Sequence, residues 1–185
     1  MSEPNVNAIP SPRAVSRSRT HKLTVTAMLM ALNIAFSTFS LPVPGGHLYL
    51  NDVVICTAAI LLDPFPAFLM GGVGAFIGDL LFYPTPMFVS LVTHGLQAVV
   101  ISLCCRRLMP QKREGLFGAI IGVAVGAVIM VAGYSFGRAF IYANPATALL
   151  KLPYQILQAA VGAVAGVILC YPCRLRRVYR RLMRL

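Results

Sequence analysis

Two ionisable side chains stand inside apolar stretches of this sequence: Asp79 ends the run Gly71-Gly-Val-Gly-Ala-Phe-Ile-Gly-Asp79, and His94 ends Phe88-Val-Ser-Leu-Val-Thr-His94. A carboxylate and an imidazole can pass a proton to and from a substrate, or hold a ligand by hydrogen bonds. Placing a charge inside hydrocarbon costs roughly 2.5–3.5 kcal/mol on insertion scales, so such residues are usually there for function. The turn Tyr83-Pro-Thr-Pro86 joins the two runs, which sets Asp79 and His94 on facing helices.

Further along, Tyr134 and Arg138 interrupt an apolar run, and Tyr154, Gln155 and Gln158 interrupt another. Asp52 opens a third, where capping the first turn is its simplest role. Arg138 and Asp79 are a natural ion pair, and pairing would lower the cost of both. Tyr83, Tyr134 and Tyr154 offer rings that stack on a flat ligand, although tyrosine also anchors helices at membrane interfaces, and Tyr49 is a further candidate ligand contact.

The elements that must position these groups are helices in a bilayer. The chain is 58% hydrophobic and 11% charged, with mean hydropathy +0.77. That composition describes an integral membrane protein. We expect an all-α fold of six transmembrane helices: Leu23 to Leu41, Asn51 to Leu62, Ala67 to Phe82, Met87 to Leu103, Leu116 to Tyr142 and Thr147 to Cys170. Residues 1–22 read as a disordered basic tail, 23–170 as the membrane domain and 171–185 as a basic segment suited to an anionic lipid surface. The second helix is short for a span. Residues 42–49, with two prolines and two glycines, read as a loop free of Lys and Arg.

Charge sets the orientation. Of 16 Lys and Arg, four precede the first helix, four lie between the fourth and fifth, and six follow the sixth. Both termini are therefore expected in the cytoplasm. Asp52, Asp79, His94, Arg138 and Gln155 then fall in the outer half of the bundle, which suggests a cavity opening outward beneath the 42–49 loop. The net charge of +11 lies in flanks of apolar segments, which argues against nucleic acid as a partner.

Other chemistries lack their motifs. The chain has no P-loop, no H-E-x-x-H and no G-x-S-x-G, and five acidic residues are too few for a two-metal site. Cys170-Tyr-Pro-Cys173 matches C-x-x-C at a helix end; with Cys104 and Cys105 it is weighed as a zinc site, and free thiols are preferred. No cofactor and no metal is expected. Ala27, Ala31 and Ala35 form a small-residue stripe on the first helix, open to intramolecular packing or to a partner's helix. Three functions remain: a binder energised by another protein, an enzyme using Asp79 and His94 on a lipid-linked substrate, and a solitary carrier.

The ordered set Leu50-Asn-Asp52, Gly72-Val-Gly-Ala-Phe-Ile-Gly-Asp-Leu-Leu81, Leu91-Val-Thr-His-Gly-Leu-Gln97, Gly133-Tyr134 and Leu152-Pro-Tyr-Gln-Ile-Leu-Gln158 resembles the substrate-binding S components of energy-coupling factor (ECF) vitamin transporters. The likeness covers most of 23–170, and order and spacing are similar to the riboflavin-transporter-like and hydroxymethylpyrimidine- or pyridoxine-type subgroup. It implies capture of a small water-soluble vitamin or precursor at a prokaryotic cell membrane. It also implies a transmembrane coupling protein and two cytoplasmic ATPases as partners, with Ala27 and Ala31 at the coupling contact. Arg138 departs from the acidic residue that many relatives carry, which would favour a carboxylate, phosphate or carbonyl-rich ligand.

Overall fold

The computed structural model describes residues 12–108 and 115–183, with side chains from Thr20 onward. The expected tail over 1–11, and Lys112, Arg113 and Arg184 of the basic flanks, lie outside the described residues. Among the described residues the chain forms seven helices. They are α1 (Pro12–Phe36), α2 (Asn51–Leu61), α3 (Pro64–Phe82), α4 (Met87–Arg107), α5 (Leu116–Tyr142), α6 (Pro145–Cys170) and α7 (Leu175–Leu182). By length and composition, α3, α4, α5 and α6 are long and apolar enough to cross a membrane.

The first helix differs from expectation at both ends. It begins at Pro12, ahead of the expected Leu23, and it stops at Phe36, before Leu41. Residues 40–49 form a β-hairpin, with β1 (Ser40–Val43) antiparallel to β2 (Gly46–Tyr49) and Leu41 opposite Leu48. The turn is Val43-Pro-Gly-Gly46. Proline presets its first central position, and Gly45 takes φ +80° at the second, where an L side chain is strained. Two strands alone leave both edges free, so Pro42 removes no ladder bond that the ribbon needs.

Helix α2 is the centre of the bundle. All its residues except Val53 are buried, and it packs against α6, α4 and α1. Buried on nearly every side, it is a core helix surrounded by protein, which accounts for eleven residues where a lipid-facing span needs about 20. Its tightest contact is with α6. A Cβ at Gly162 would lie 2.6 Å from Asp52 Cβ, and one at Gly166 would lie 2.8 Å from Cys56 Cβ, so only glycine lets the two backbones meet.

Helix α3 starts at Pro64, ahead of the expected Ala67, with Asp63 in the capping position. The helix widens into a π-helical turn over Leu69–Val73, where the Asn33 side chain donates to the Met70 carbonyl at 3.0 Å. A second π-helical turn, Arg138–Tyr142, ends α5. Such turns insert a residue and re-aim the side chains beyond it, and they recur at functional sites. Helix α6 begins at Pro145, ahead of Thr147, behind a capping box in which Asn144 accepts from the Thr147 backbone N–H at 3.0 Å.

The two ends of the bundle differ. At one end Asp63 accepts from Lys22 at 3.2 Å and from Arg106 at 2.7 Å, and the arginine-rich α7 follows α6. At the other lie the hairpin, the 83–86 turn and the capping turn of α6. The buried charged residues Asp52, Asp79, Arg138 and Lys151, together with His94, gather toward this hairpin end.

Candidate functional site

Helical spacing places the polar residues. On α6, Lys151, Gln155, Gln158, Gly162 and Gly166 recur every three or four residues and all are buried, so the glycine seam against α2 continues upward as a polar stripe. On α4, Ser90, His94 and Gln97 make a similar stripe. Helix α3 brings Asp79, and α5 brings Tyr134 and Arg138. The hairpin closes the top.

These elements enclose a cavity lined by His47, Tyr49, Asn51, Asp79, Tyr83, Pro86, His94, Met130, Tyr134, Arg138, Lys151, Gln155 and Gln158. Eight of the ten sequence-predicted ligand residues are therefore brought together. Asp52 is the ninth and sits one layer below, bonded to Gln97 and Gln158 rather than capping α2. Tyr154 is half-buried and does not line the cavity, because it is turned about 100° from Gln155 around the helix. His47, Asn51, Lys151 and Ser90 belong to the site and were missing from the sequence-based set. The signal for Ser90 was its i, i+4 spacing from His94; that for Lys151 was the same spacing from Gln155.

Two hydrogen-bonded chains build the floor. Ser90 donates to the Asp79 carboxylate, so the Tyr134 hydroxyl, 2.5 Å from Ser90 Oγ, must donate to Ser90. In the second chain, Gln97 Nε2 donates to Asp52 Oδ1 at 3.2 Å and Gln158 Nε2 donates to Asp52 Oδ2 at 2.6 Å. The Gln158 carbonyl then accepts from the Tyr49 backbone N–H at 3.1 Å, tying the hairpin to the floor. Gln155 donates to the Val131 carbonyl at 2.9 Å, which orients its amide from α5.

The roof is cationic. Arg138 Nη1 donates to the Gly45 carbonyl at 2.6 Å and Lys151 donates to the His47 carbonyl, so both cations hold the hairpin down. Among the described residues Arg138 makes no ion pair with Asp79, and its guanidinium lies 5.3 Å from the Tyr142 ring. Tyr83 and His47 pack edge to face with centroids 5.6 Å apart. Burial first, and then the Asp79 charge, push the Tyr49 phenol well up, so it stays a neutral hydroxyl.

The enclosed hollow is about 30 Å³, room for a water or so rather than for a ligand of several hundred Å³. The hairpin is closed over it. Arg138 Nε, His47 Nδ1 and Asn51 Oδ1 are buried without a hydrogen-bond partner. Buried polar atoms are nearly always satisfied, so three of the six such orphans among the described residues leave unmet hydrogen-bonding capacity around one cavity. An apolar groove of about 380 Å³ between α5 and α6, lined by Ala127, Val131 and Ile156 among others, has no polar group to orient a solute.

An apolar helical bundle with a polar cavity beneath a hairpin at one end has the architecture of a multi-pass membrane protein. The chain belongs to the ECF-type riboflavin transporter S-component family, whose sequence profile matches residues 17–175. It is thus a transporter component of the vitamin-uptake kind, not an enzyme. It is 31% identical over 153 residues to the thiamine precursor transporter HmpT of Lactococcus lactis subsp. cremoris, covering 80% of this chain and 84% of the relative. It is also 28% identical over 144 residues to an uncharacterised protein of Pyrococcus woesei, covering 78% and 88%.

Proposed function

We propose that this chain captures a water-soluble vitamin or vitamin precursor from outside a prokaryotic cell and delivers it through an ECF importer. In this reading all six helices α1–α6 lie in the cell membrane as one domain over 23–170. Both termini are cytoplasmic, and the basic segment 171–185 lies on the inner surface. The hairpin end faces outward, in keeping with the positive flanks at the opposite end. A coupling protein and two cytoplasmic ATPases supply the energy. Ala27, Ala31 and Ala35, all exposed on α1, are the contact for the coupling protein.

The observation that carries the reading is the convergence of Asp79, His94, Tyr134, Arg138 and Gln155 from four helices onto one cavity beneath the hairpin. Donors and acceptors so placed orient a small polar heteroaromatic molecule, and the rings of Tyr83 and Tyr134 cover its faces. The thiamine precursor named for the Lactococcus relative is of that size and polarity class. Entry requires the hairpin to lift, which breaks its bonds to Arg138, Lys151 and Gln158. The test is calorimetry of the purified protein with thiamine, its pyrimidine precursor, riboflavin and pyridoxine. Saturable binding of one compound supports the assignment, and heat from none of them overturns it.

A further inference from the structure

The buried amide of Gln97 does more than fill space between Asp52 and His94. Gln97 turns its Nε2 to Asp52 and donates to Oδ1 at 3.2 Å. Its carbonyl then faces the other way, 2.7 Å from His94 Nδ1. A carbonyl oxygen has no proton to give, so Nδ1 carries one. Of the two tautomers, the one this bond selects has its lone pair on Nε2. His94 lines the cavity while Gln97 and Asp52 do not, which sets Nε2, the far edge of the ring, on the cavity side. Tyr134 packs edge to face on the ring with centroids 5.2 Å apart and holds its plane. Among the described residues Nε2 has no hydrogen-bond partner.

We propose that Asp52 and Gln97 are positioning residues that fix His94 as a hydrogen-bond acceptor, so that the ligand brings an N–H, NH2 or O–H to its Nε2. The assignment rests on the reading that the cavity is the ligand site, and it deepens that reading by naming one edge of the ligand. Asp52 serves as the anchor because its second oxygen is taken by Gln158 at 2.6 Å, which leaves the carboxylate no freedom to turn away. A ligand with an acceptor at this position would set two lone pairs against each other in a water-poor site. The pocket therefore selects a donor edge, such as an exocyclic amine on a heteroaromatic ring.

The experiment is imidazole ¹H–¹⁵N correlation spectroscopy of the ¹⁵N-labelled full chain in lipid nanodiscs, with His94→Asn to assign the signal. Expected are a pyrrole-like Nδ1 and a pyridine-like Nε2 in the free protein. In Gln97→Met, which removes both amide bonds at similar volume, the two signals should average toward a tautomer mixture while helicity is unchanged. A protonated Nε2 in the wild type, or the wild-type signature persisting in a folded Gln97→Met, overturns the proposal. The wild-type spectrum decides the tautomer even where a variant fails to fold. Two probes at millimolar concentration test the donor edge: 4-aminopyrimidine should shift the Nε2 resonance, and 4-methoxypyrimidine should shift it at least tenfold less. Equal shifts, or none from either, overturn the donor-edge assignment. Vitamin binding by calorimetry is a separate readout, so failure of the tautomer and failure of the transport reading are told apart.

Discussion

Arg138 reaches across 93 positions of sequence to give its Nη1 proton to the carbonyl of Gly45, at 2.6 Å. One bond thus joins the last turn of α5 to the tip of the hairpin, and the same guanidinium leaves a buried Nε without a partner on the cavity. Lid and ligand share a residue. Truncation to Ala removes a charged hydrogen bond worth about 1.5–3 kcal/mol. Arg138→Ala should therefore weaken ligand binding by roughly ten- to a hundredfold and speed hydrogen exchange of residues 40–49. Exchange measured by mass spectrometry at unchanged rate would separate the residue from the lid.

Asp79 anchors the first floor chain through Ser90. Asp79→Asn retains the size and one acceptor but removes the charge, whereas Asp79→Ala leaves Ser90 and Tyr134 unsupported. The alanine should cost at least as much affinity as the asparagine, with about 1–3 kcal/mol expected for each buried polar group left unpaired. Calorimetry with the bound vitamin reads both.

Gly162 and Gly166 are packing residues, so their effect should appear in stability before it appears in specificity. A methyl at Gly162 meets the backbone of α2, with the Asp52 carbonyl carbon 3.0 Å from the added Cβ. Gly162→Ala should destabilise by about 1–3 kcal/mol, the usual cost of overpacking, and lower the melting temperature in detergent. An unchanged melting curve would contradict the contact between α2 and α6.

Ala27 and Ala31 face away from the bundle, beside Leu23 and Met28, which are 74% and 67% exposed. Replacing both alanines by Phe should abolish copurification with the coupling protein while leaving ligand affinity within about threefold, a change under 1 kcal/mol. Loss of both properties together would place the alanines in the fold instead.

Much of this arrangement was legible from spacing. The apolar runs and the turns between them carried α3 to α6 and most of the cavity wall, because Gln155 with Gln158, and Asp79 facing His94, are local patterns joined by short turns. What was hidden depended on contacts distant in sequence. The role of Asp52 needs Gln97 and Gln158, 45 and 106 residues away, so its position in a first helical turn suggested a cap or a direct ligand contact and not the anchor of two amides. The hairpin looked like a loop because prolines weaken strand patterns, yet a free ribbon tolerates them. Tyr154 was grouped with its neighbours by sequence and separated from them by one residue's rotation. Accordingly, Tyr154→Ala should change affinity by less than about threefold, again under 1 kcal/mol, in contrast to Gln155→Ala.

The central claim is that the polar cavity beneath the hairpin binds a vitamin-class solute. Its most direct test is equilibrium binding of a panel of radiolabelled vitamins and precursors to the purified protein in nanodiscs, repeated with Arg138→Ala and Asp79→Ala. The account predicts one compound bound at nanomolar to micromolar strength, with binding weakened at least about tenfold, or 1.4 kcal/mol, by each substitution. No binder in the panel, or a binder held equally well by both folded variants, would contradict it.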